Sequence, residues 1–275
     1  MRIPVSQVNA FTARPFRGNP AAVCVLQPTM PVPDTQLRQA IAAEMNLSET
    51  AFVEWRPDGP LGLRWFTPEV EVDLCGHATL ASAYTLWHEG YLPWDQPIEF
   101  QTRSGILTCV GMETREGQPQ IQLDFPALPW EVQDAPAGLA DALGVIPLKV
   151  VRSSMDLLVQ IDSEQEVKDC RPDFAALAQL PIRGLILTAA SQQEDLDFIS
   201  RFFAPGVGIP EDPVTGSAHC LLGPFWQQQM GKDSFSAFQA SKRGGHIDLT
   251  VAGNRVLLRG QAVRVWKGEL ELPGV

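Results

Sequence analysis

Residues 64–72 read RWFTPEVEV, and residues 201–209 read RFFAPGVGI. Both fit the pattern R-aromatic-F-x-P-x-V-x-(V/I). The second copy begins 137 residues after the first, half the length of a 275-residue chain. Arginine, paired aromatics and proline held in register over that separation indicate an internal duplication. The register continues. The first copy runs on to Cys75-Gly76-His77-Ala78 and the apolar run TLASAYTLW. The second, three residues longer, runs on to Thr215-Gly216-Ser217-Ala218 and HCLLGPFW. Each run is long and has few β-branched residues after its first position, which reads as a buried helix. The glycine at the head of each lets the backbone turn in tightly.

Working outward, each half shows strand alternation about a turn. Ile98, Phe100 and Thr102 lead through Ser104-Gly105 to Leu107 and Cys109. Ile247, Leu249 and Val251 lead through Gly253-Asn254 to Val256 and Leu258. Both read as hairpins. A third strand follows each, at 121–125 and at 263–266. Upstream, the first half predicts a helix over 35–45 and a strand over 50–55; the second predicts a helix over 173–179 and a strand over 185–188. Each half is thus an α+β unit, β-rich and wrapped round one central helix. The Pro126-Ala127-Leu128-Pro129 stretch marks a soft boundary nearby. We place the division at 1–118 and 119–275, with the final strand expected to cross to the first half.

The bulk numbers narrow the function. Net charge is −11 and the sequence pI is about 4.8. This balance argues against nucleic acid and against an anionic membrane surface, both of which need basic patches. Small anions are still compatible, because a local site can be positive within an acidic whole. Five cysteines, Cys24, Cys75, Cys109, Cys170 and Cys220, form no CxxC pair, and the four histidines form no HxxxH. Neither a disulfide framework nor a zinc site is expected. Without an apolar leader or a run of about 18 apolar residues, the expectation is a reduced, cytoplasmic, globular protein.

Two similar halves are expected to face each other across a cleft, where ligand sites concentrate. Each central helix would start near its glycine, at Gly76-His77 and Gly216-Ser217. Helix N-termini carry free N–H groups and partial positive charge. A small carboxylate is the ligand class that such starts would receive.

Five further stretches, in order along nearly the whole chain, resemble the PhzF-like isomerase family of phenazine biosynthesis. They are residues 16–23 (FRGNPAAV), 47–52 (LSETAF), 73–79 (DLCGHAT), 123–126 (LDFP) and 211–219 (EDPVTGSAH). The resemblance implies a diaminopimelate-epimerase-like fold of two pseudo-symmetric halves. It also implies cofactor-free proton transfer within a small hydroxy or amino acid, and a homodimer. Carried over by motif, it implies catalytic roles for Glu49, His77, Asp212 and Ser217. Substrate-binding roles fall to Gly76, His77, Gly216 and Ser217. A carboxyl suits the part of proton carrier, because its surroundings can poise it to act first as base and then as acid. Related epimerases of this fold oppose two cysteines. Cys75 stands at one such position, but Thr215 stands at the other, so a two-cysteine racemase is not expected. Other readings of the same residues are an amino-acid racemase or epimerase, a dehydratase, and a metabolite-binding or protein-interaction protein without turnover.

Overall fold

The computed structural model describes residues 1–56, 58–113 and 119–272. The chain forms two compact units, Met1–Asp124 with Arg259–Val275, and Phe125–Leu258.

In chain order the first unit contains β1 (Arg2–Ala10), β2 (Asn19–Leu26), α1 (Thr35–Met45), β3 (Glu49–Glu54), β4 (Leu61–Phe66) and β5 (Glu71–Val72). There follow α2 (Gly76–His88), β6 (Ile98–Thr102), β7 (Gly105–Glu113) and β8 (Pro119–Pro126). The second unit opens with β9 (Trp130–Val132), α3 (Leu139–Leu143), β10 (Lys149–Ser153), β11 (Asp156–Gln160), α4 (Glu164–Asp169) and α5 (Phe174–Leu177). It continues with β12 (Gly184–Ala190), β13 (Phe198–Ala204), β14 (Ile209–Asp212), α6 (Gly216–Met230), β15 (Ser234–Gln239), β16 (Gly245–Ala252) and β17 (Arg255–Gly260). The last strand, β18 (Ala262–Glu271), pairs antiparallel with β1, from Arg2↔Glu271 to Ala10↔Ala262. The sequence placed the boundary at 118/119 and expected the final strand to cross to the first half; the units divide at Leu258/Arg259 and at Asp124/Phe125. The reason is pairing: β8 is hydrogen-bonded to β7 from Glu113↔Pro119 to Cys109↔Leu123, which holds it in the first unit. Residue 118 lies outside the described residues.

The duplication is visible strand by strand. In the first unit β1–β2 is antiparallel, β2–β3 parallel, β3–β4 and β4–β5 antiparallel, β4–β6 parallel and β6–β7 antiparallel. In the second, β10–β11, β11–β12, β12–β13, β13–β14, β13–β15 and β15–β16 repeat that series in the same order and sense. The repeated arginine has one task in both. Arg64 grips Glu71 through Nε and Nη2, both at 2.6 Å, with its guanidinium 5.2 Å from the Phe66 ring. Arg201 grips Glu211 through the same two nitrogens at 2.7 and 3.0 Å, 4.8 Å from the Phe203 ring. A bidentate fork fixes direction as well as distance. Each arginine therefore ties one strand to the short strand that leads into the central helix.

The central helices are buried almost all round, as their unbroken apolar runs require. In α2 every residue from Gly76 to Trp87 except Tyr84 is buried. In α6, Pro224 has no N–H to give to the Cys220 carbonyl. That carbonyl instead accepts from the Leu128 N–H at 2.9 Å, so the proline-rich stretch after β8 is anchored by the helix's own defect. Gly223 is needed beside it, since a Cβ there would stand 2.9 Å from Leu249 Cδ1 and 3.1 Å from Val251 Cγ2. The first helix, α1, starts where Asp34 Oδ1 accepts from the Leu37 N–H at 2.8 Å. It stops at Asn46, whose left-handed φ of 49° asparagine tolerates better than most residues. Among the described residues no helix is long and apolar enough to cross a membrane.

Candidate active site

In the first unit, α1 ends, the chain turns, and Glu49 opens β3. The parallel register Ala21↔Glu49 puts it beside the start of β2, where Asn19 lies. The start of α2 comes to the same place. There the His77 ring is met from three directions. Its Nε2 is 3.1 Å from Glu49 Oε2, its Nδ1 accepts from Asn19 Nδ2 at 3.2 Å, and Cys75 Sγ is 3.5 Å from Nδ1. The His77 side chain is 6% exposed and that of Glu49 is 14% exposed, so the carboxylate is sheltered yet reachable. The Glu49–His77 contact is close but out of line for a good hydrogen bond, and both atoms lack a well-aligned partner.

Burial opposes a charge on His77, but the anionic forms of Cys75 and Glu49 outweigh it, and the ring's pKa is raised well above the usual histidine value. The two anions do not count equally at neutral pH. Burial, reinforced by Glu49, pushes the Cys75 thiol up to about 11, so it is then neutral. The Glu49 carboxylate is left as the group that favours imidazolium. When Nδ1 carries a proton, the Asn19 amide need only rotate to offer its oxygen instead of its nitrogen.

Among the described residues, Glu49, Cys75 and His77 also form a group of possible metal ligands whose ligand atoms lie within 4.8 Å of one another. The carboxylate faces Nε2 and the thiol faces Nδ1. A cavity of about 340 Å³ in this unit, lined by Tyr84, Trp87, His88 and Trp94, is at the opposite end of α2.

In the second unit, Asp212 ends β14 and its carboxylate accepts from the Thr215 hydroxyl. Gln239, wholly buried on β15, clamps the same turn: its Oε1 accepts from the Thr215 N–H and its Nε2 donates to the Asp212 carbonyl, both at 2.8 Å. Helix α6 then begins at Gly216 with no side-chain cap, just as α2 begins at Gly76 with none. The first N–H groups of each helix are therefore not taken by a capping side chain. Ser217 Oγ lies 3.4 Å from Arg183 Nη2.

Of the residues singled out by sequence, Glu49, Gly76 and His77 gather in the first unit, and Asp212, Gly216 and Ser217 gather in the second. Sequence reasoning left out Asn19, Gln239 and Arg183. Asn19 lies inside the quoted FRGNPAAV stretch, but the stretch does not show that its partner is a histidine 58 residues away.

His219, one turn into α6, is wholly buried; its Nδ1–H donates to the Thr215 carbonyl at 2.8 Å and its Nε2 has no partner. Burial lowers its pKa from 6.5 to about 4. The unfolded chain therefore takes up a proton on falling through 6.5 that the folded chain refuses until about 4. The stability that His219 contributes is complete above pH 6.5 and declines toward pH 4, by roughly 3 kcal/mol in all. In urea unfolding at a series of pH values, His219→Asn is expected to flatten that slope, because asparagine can still donate to Thr215 without titrating. An unchanged slope would assign the acid sensitivity to other groups.

The comparisons bear on the family and the fold. A profile of the family described as phenazine biosynthesis-like protein matches residues 8–268. A protein of Halalkalibacterium halodurans named an uncharacterized isomerase is 52% identical over 273 residues, covering 99% of this chain and 100% of that one. A human phenazine biosynthesis-like domain-containing protein is 39% identical over 295 residues, covering 98% of this chain and 99% of its own length. Among solved structures, a PhzF-family protein of Enterococcus faecalis superposes with a TM-score of 0.90 at 40% identity, over 99% of this chain and 100% of the other. A hydroxyproline epimerase of Agrobacterium vitis has a TM-score of 0.63 at 10% identity, covering 98% of this chain and 92% of that one, and shares the fold alone. The α+β, epimerase-like fold and the general isomerase class follow from these matches. With its duplicated architecture and its profile match over nearly the whole length, the chain belongs to the phenazine biosynthesis-like, PhzF-like family.

Proposed function

We propose that the protein is a cofactor-independent isomerase that moves a proton within a small hydroxy- or amino-carboxylic acid. Glu49 is the proton carrier. His77 steadies the carboxylate charge, and Asp212 and Ser217 assist. Gly76, His77, Gly216 and Ser217 bind the substrate, the glycines through backbone N–H groups. The observation that carries this reading is the sheltered Glu49 carboxylate held 3.1 Å from a His77 ring that Asn19 orients from its other nitrogen. Such a carboxylate can leave its partner, take a substrate proton and return it to another carbon without a change of residue. The test is to screen small carboxylic acids by thermal shift and run those that bind in heavy water. Deuterium appearing in an isomerised product supports the reading; binding without exchange or isomerisation defeats it. The reading includes a homodimer, which requires sedimentation at twice the 30.2 kDa chain mass.

Cys75 is not a second base here. Its thiol, pushed up to about 11, holds its proton at neutral pH, and the matching position in the second unit is Thr215. Cys75→Ser is expected to keep turnover within about threefold, since the hydroxyl fits the same space beside His77. Loss of activity in a folded Cys75→Ser protein would restore the cysteine-racemase reading.

A further inference from the structure

We infer that Arg183 is a specificity-determining residue that receives the substrate carboxylate beside Ser217, so that the enzyme takes an acid and rejects the uncharged amide of the same shape. The inference rests on the reading above that Ser217 binds substrate, and it names the chemical group bound there.

The guanidinium is held in place. Its Nε donates to Asp156 Oδ1 at 2.9 Å and its Nη2 to Asp156 Oδ2 at 2.6 Å. The Asp156 side chain has no exposure, whereas that of Arg183 is 38% exposed. The buried partner orients and the open partner presents. The Phe202 ring, 5.7 Å from the guanidinium carbon, supports it further. Residue 184 must be glycine for this packing. A Cβ there would stand 2.2 Å from Phe202 Cζ and 2.9 Å from Asp156 Oδ1. The parallel register Asp156↔Gly184 sets the acid directly across from the start of β12, one residue after Arg183.

A guanidinium has five N–H groups, and Asp156 occupies two of them. The second hydrogen on Nη2 is turned toward Ser217 Oγ across a long 3.4 Å, and among the described residues Nη1 makes no hydrogen bond. The second Nη2 hydrogen and the Nη1 hydrogen parallel to it thus form a free fork beside the Ser217 hydroxyl. A carboxylate oxygen accepts from the hydroxyl and the guanidinium together. A primary amide turns an NH₂ group toward some of the same donors and leaves them unsatisfied, which is the stronger basis for discrimination. Lysine would supply the charge without the fork.

The test uses lactate and lactamide, a pair matched in shape and different in charge, titrated into the full-length protein with binding followed by NMR. Wild type is expected to bind lactate about tenfold or more tightly than lactamide, the size of effect that a charge-assisted hydrogen bond supplies. Arg183→Met combined with Asp156→Asn removes the pair without stranding a buried charge, and it should bind the two probes alike. Arg183→Lys, which keeps Asp156 paired, should fall between and covers the case in which the double variant does not fold. A wild type that binds neither probe or both equally overturns the inference, as does either variant retaining the full preference. Glu49→Gln should keep the preference whatever happens to turnover, so failure of the proton-carrier reading and failure of this one give different results.

Discussion

Replacing Glu49 by glutamine is expected to lower turnover by about 10²–10⁴-fold, the range that one positioned proton-transfer group supplies. Glutamine preserves length, shape and hydrogen-bonding capacity but cannot carry the proton. Substrate binding should therefore change little, so kcat falls and KM does not rise. A second readout is independent of any substrate. The Glu49 carboxylate is the charge that favours protonation of His77 at neutral pH, because the Cys75 thiol is neutral there. Glu49→Gln should shift the His77 titration, followed by the ring proton resonances, to lower pH. Asn19→Ala should disturb the same titration from the opposite nitrogen, since it removes the Nδ2 donor 3.2 Å from Nδ1. If Glu49→Gln turns over like wild type, Glu49 is not in the mechanism and His77 or Asp212 becomes the next candidate base. If the His77 titration does not move, the 3.1 Å contact carries no electrostatic weight.

How far the sequence could be read depended on whether a pattern was local. The duplication was legible because its signal is carried by consecutive residues, and so was α1, whose cap and stop are both within a few positions of its ends. The hairpin strands β6 and β16 were legible because one face is buried and the other is not, giving burial patterns of BeBiB and BeBiBiBe. By contrast β11 and β13 were not identified. Their residues are buried on both faces, so no period-two alternation betrays a strand. In the candidate site, Glu49, His77, Asp212 and Ser217 were named from motif resemblance. What holds them was not, because those bonds join residues far apart in sequence: Asn19 to His77, Gln239 to Thr215, Asp156 to Arg183. The two ion pairs of the repeat show the limit most plainly. Arg64 and Glu71 are 7 apart while Arg201 and Glu211 are 10 apart. A 3₁₀ turn at Pro205–Val207, closed by Gly208 in the left-handed region, accommodates the three extra residues. The same bond is kept at a different spacing, which a search for fixed spacing would have missed.

That second pair carries a large expected stability effect. Arg201 is 8% exposed and Glu211 20%. Besides its fork to Glu211, Arg201 donates from Nη1 to the carbonyls of Cys170 and Val167 at 2.7 and 3.3 Å, at the end of α4. Arg201→Met would leave a mostly buried carboxylate and two buried carbonyls without their donor, at a loss of about 3–5 kcal/mol in urea unfolding. The equivalent change at Arg64, which is 28% exposed and whose partner Glu71 also holds Arg103 at 3.0 Å, should be milder because the acid keeps a cation. The double variant Arg201→Met/Glu211→Leu should recover a large part of the loss, since two apolar chains of similar volume can replace a buried pair at little net cost. Its activity should not recover with its stability. Glu211 immediately precedes Asp212, whose carboxylate accepts from the Thr215 hydroxyl at the head of α6. A strand end no longer pinned by Arg201 lets that carboxylate wander, and where Asp212 assists as proposed, small misplacements cost far more in rate than in stability. Recovery of both stability and turnover in the double variant would show that the fork only holds the fold; recovery of stability alone would identify Arg201 as the positioning residue for Asp212.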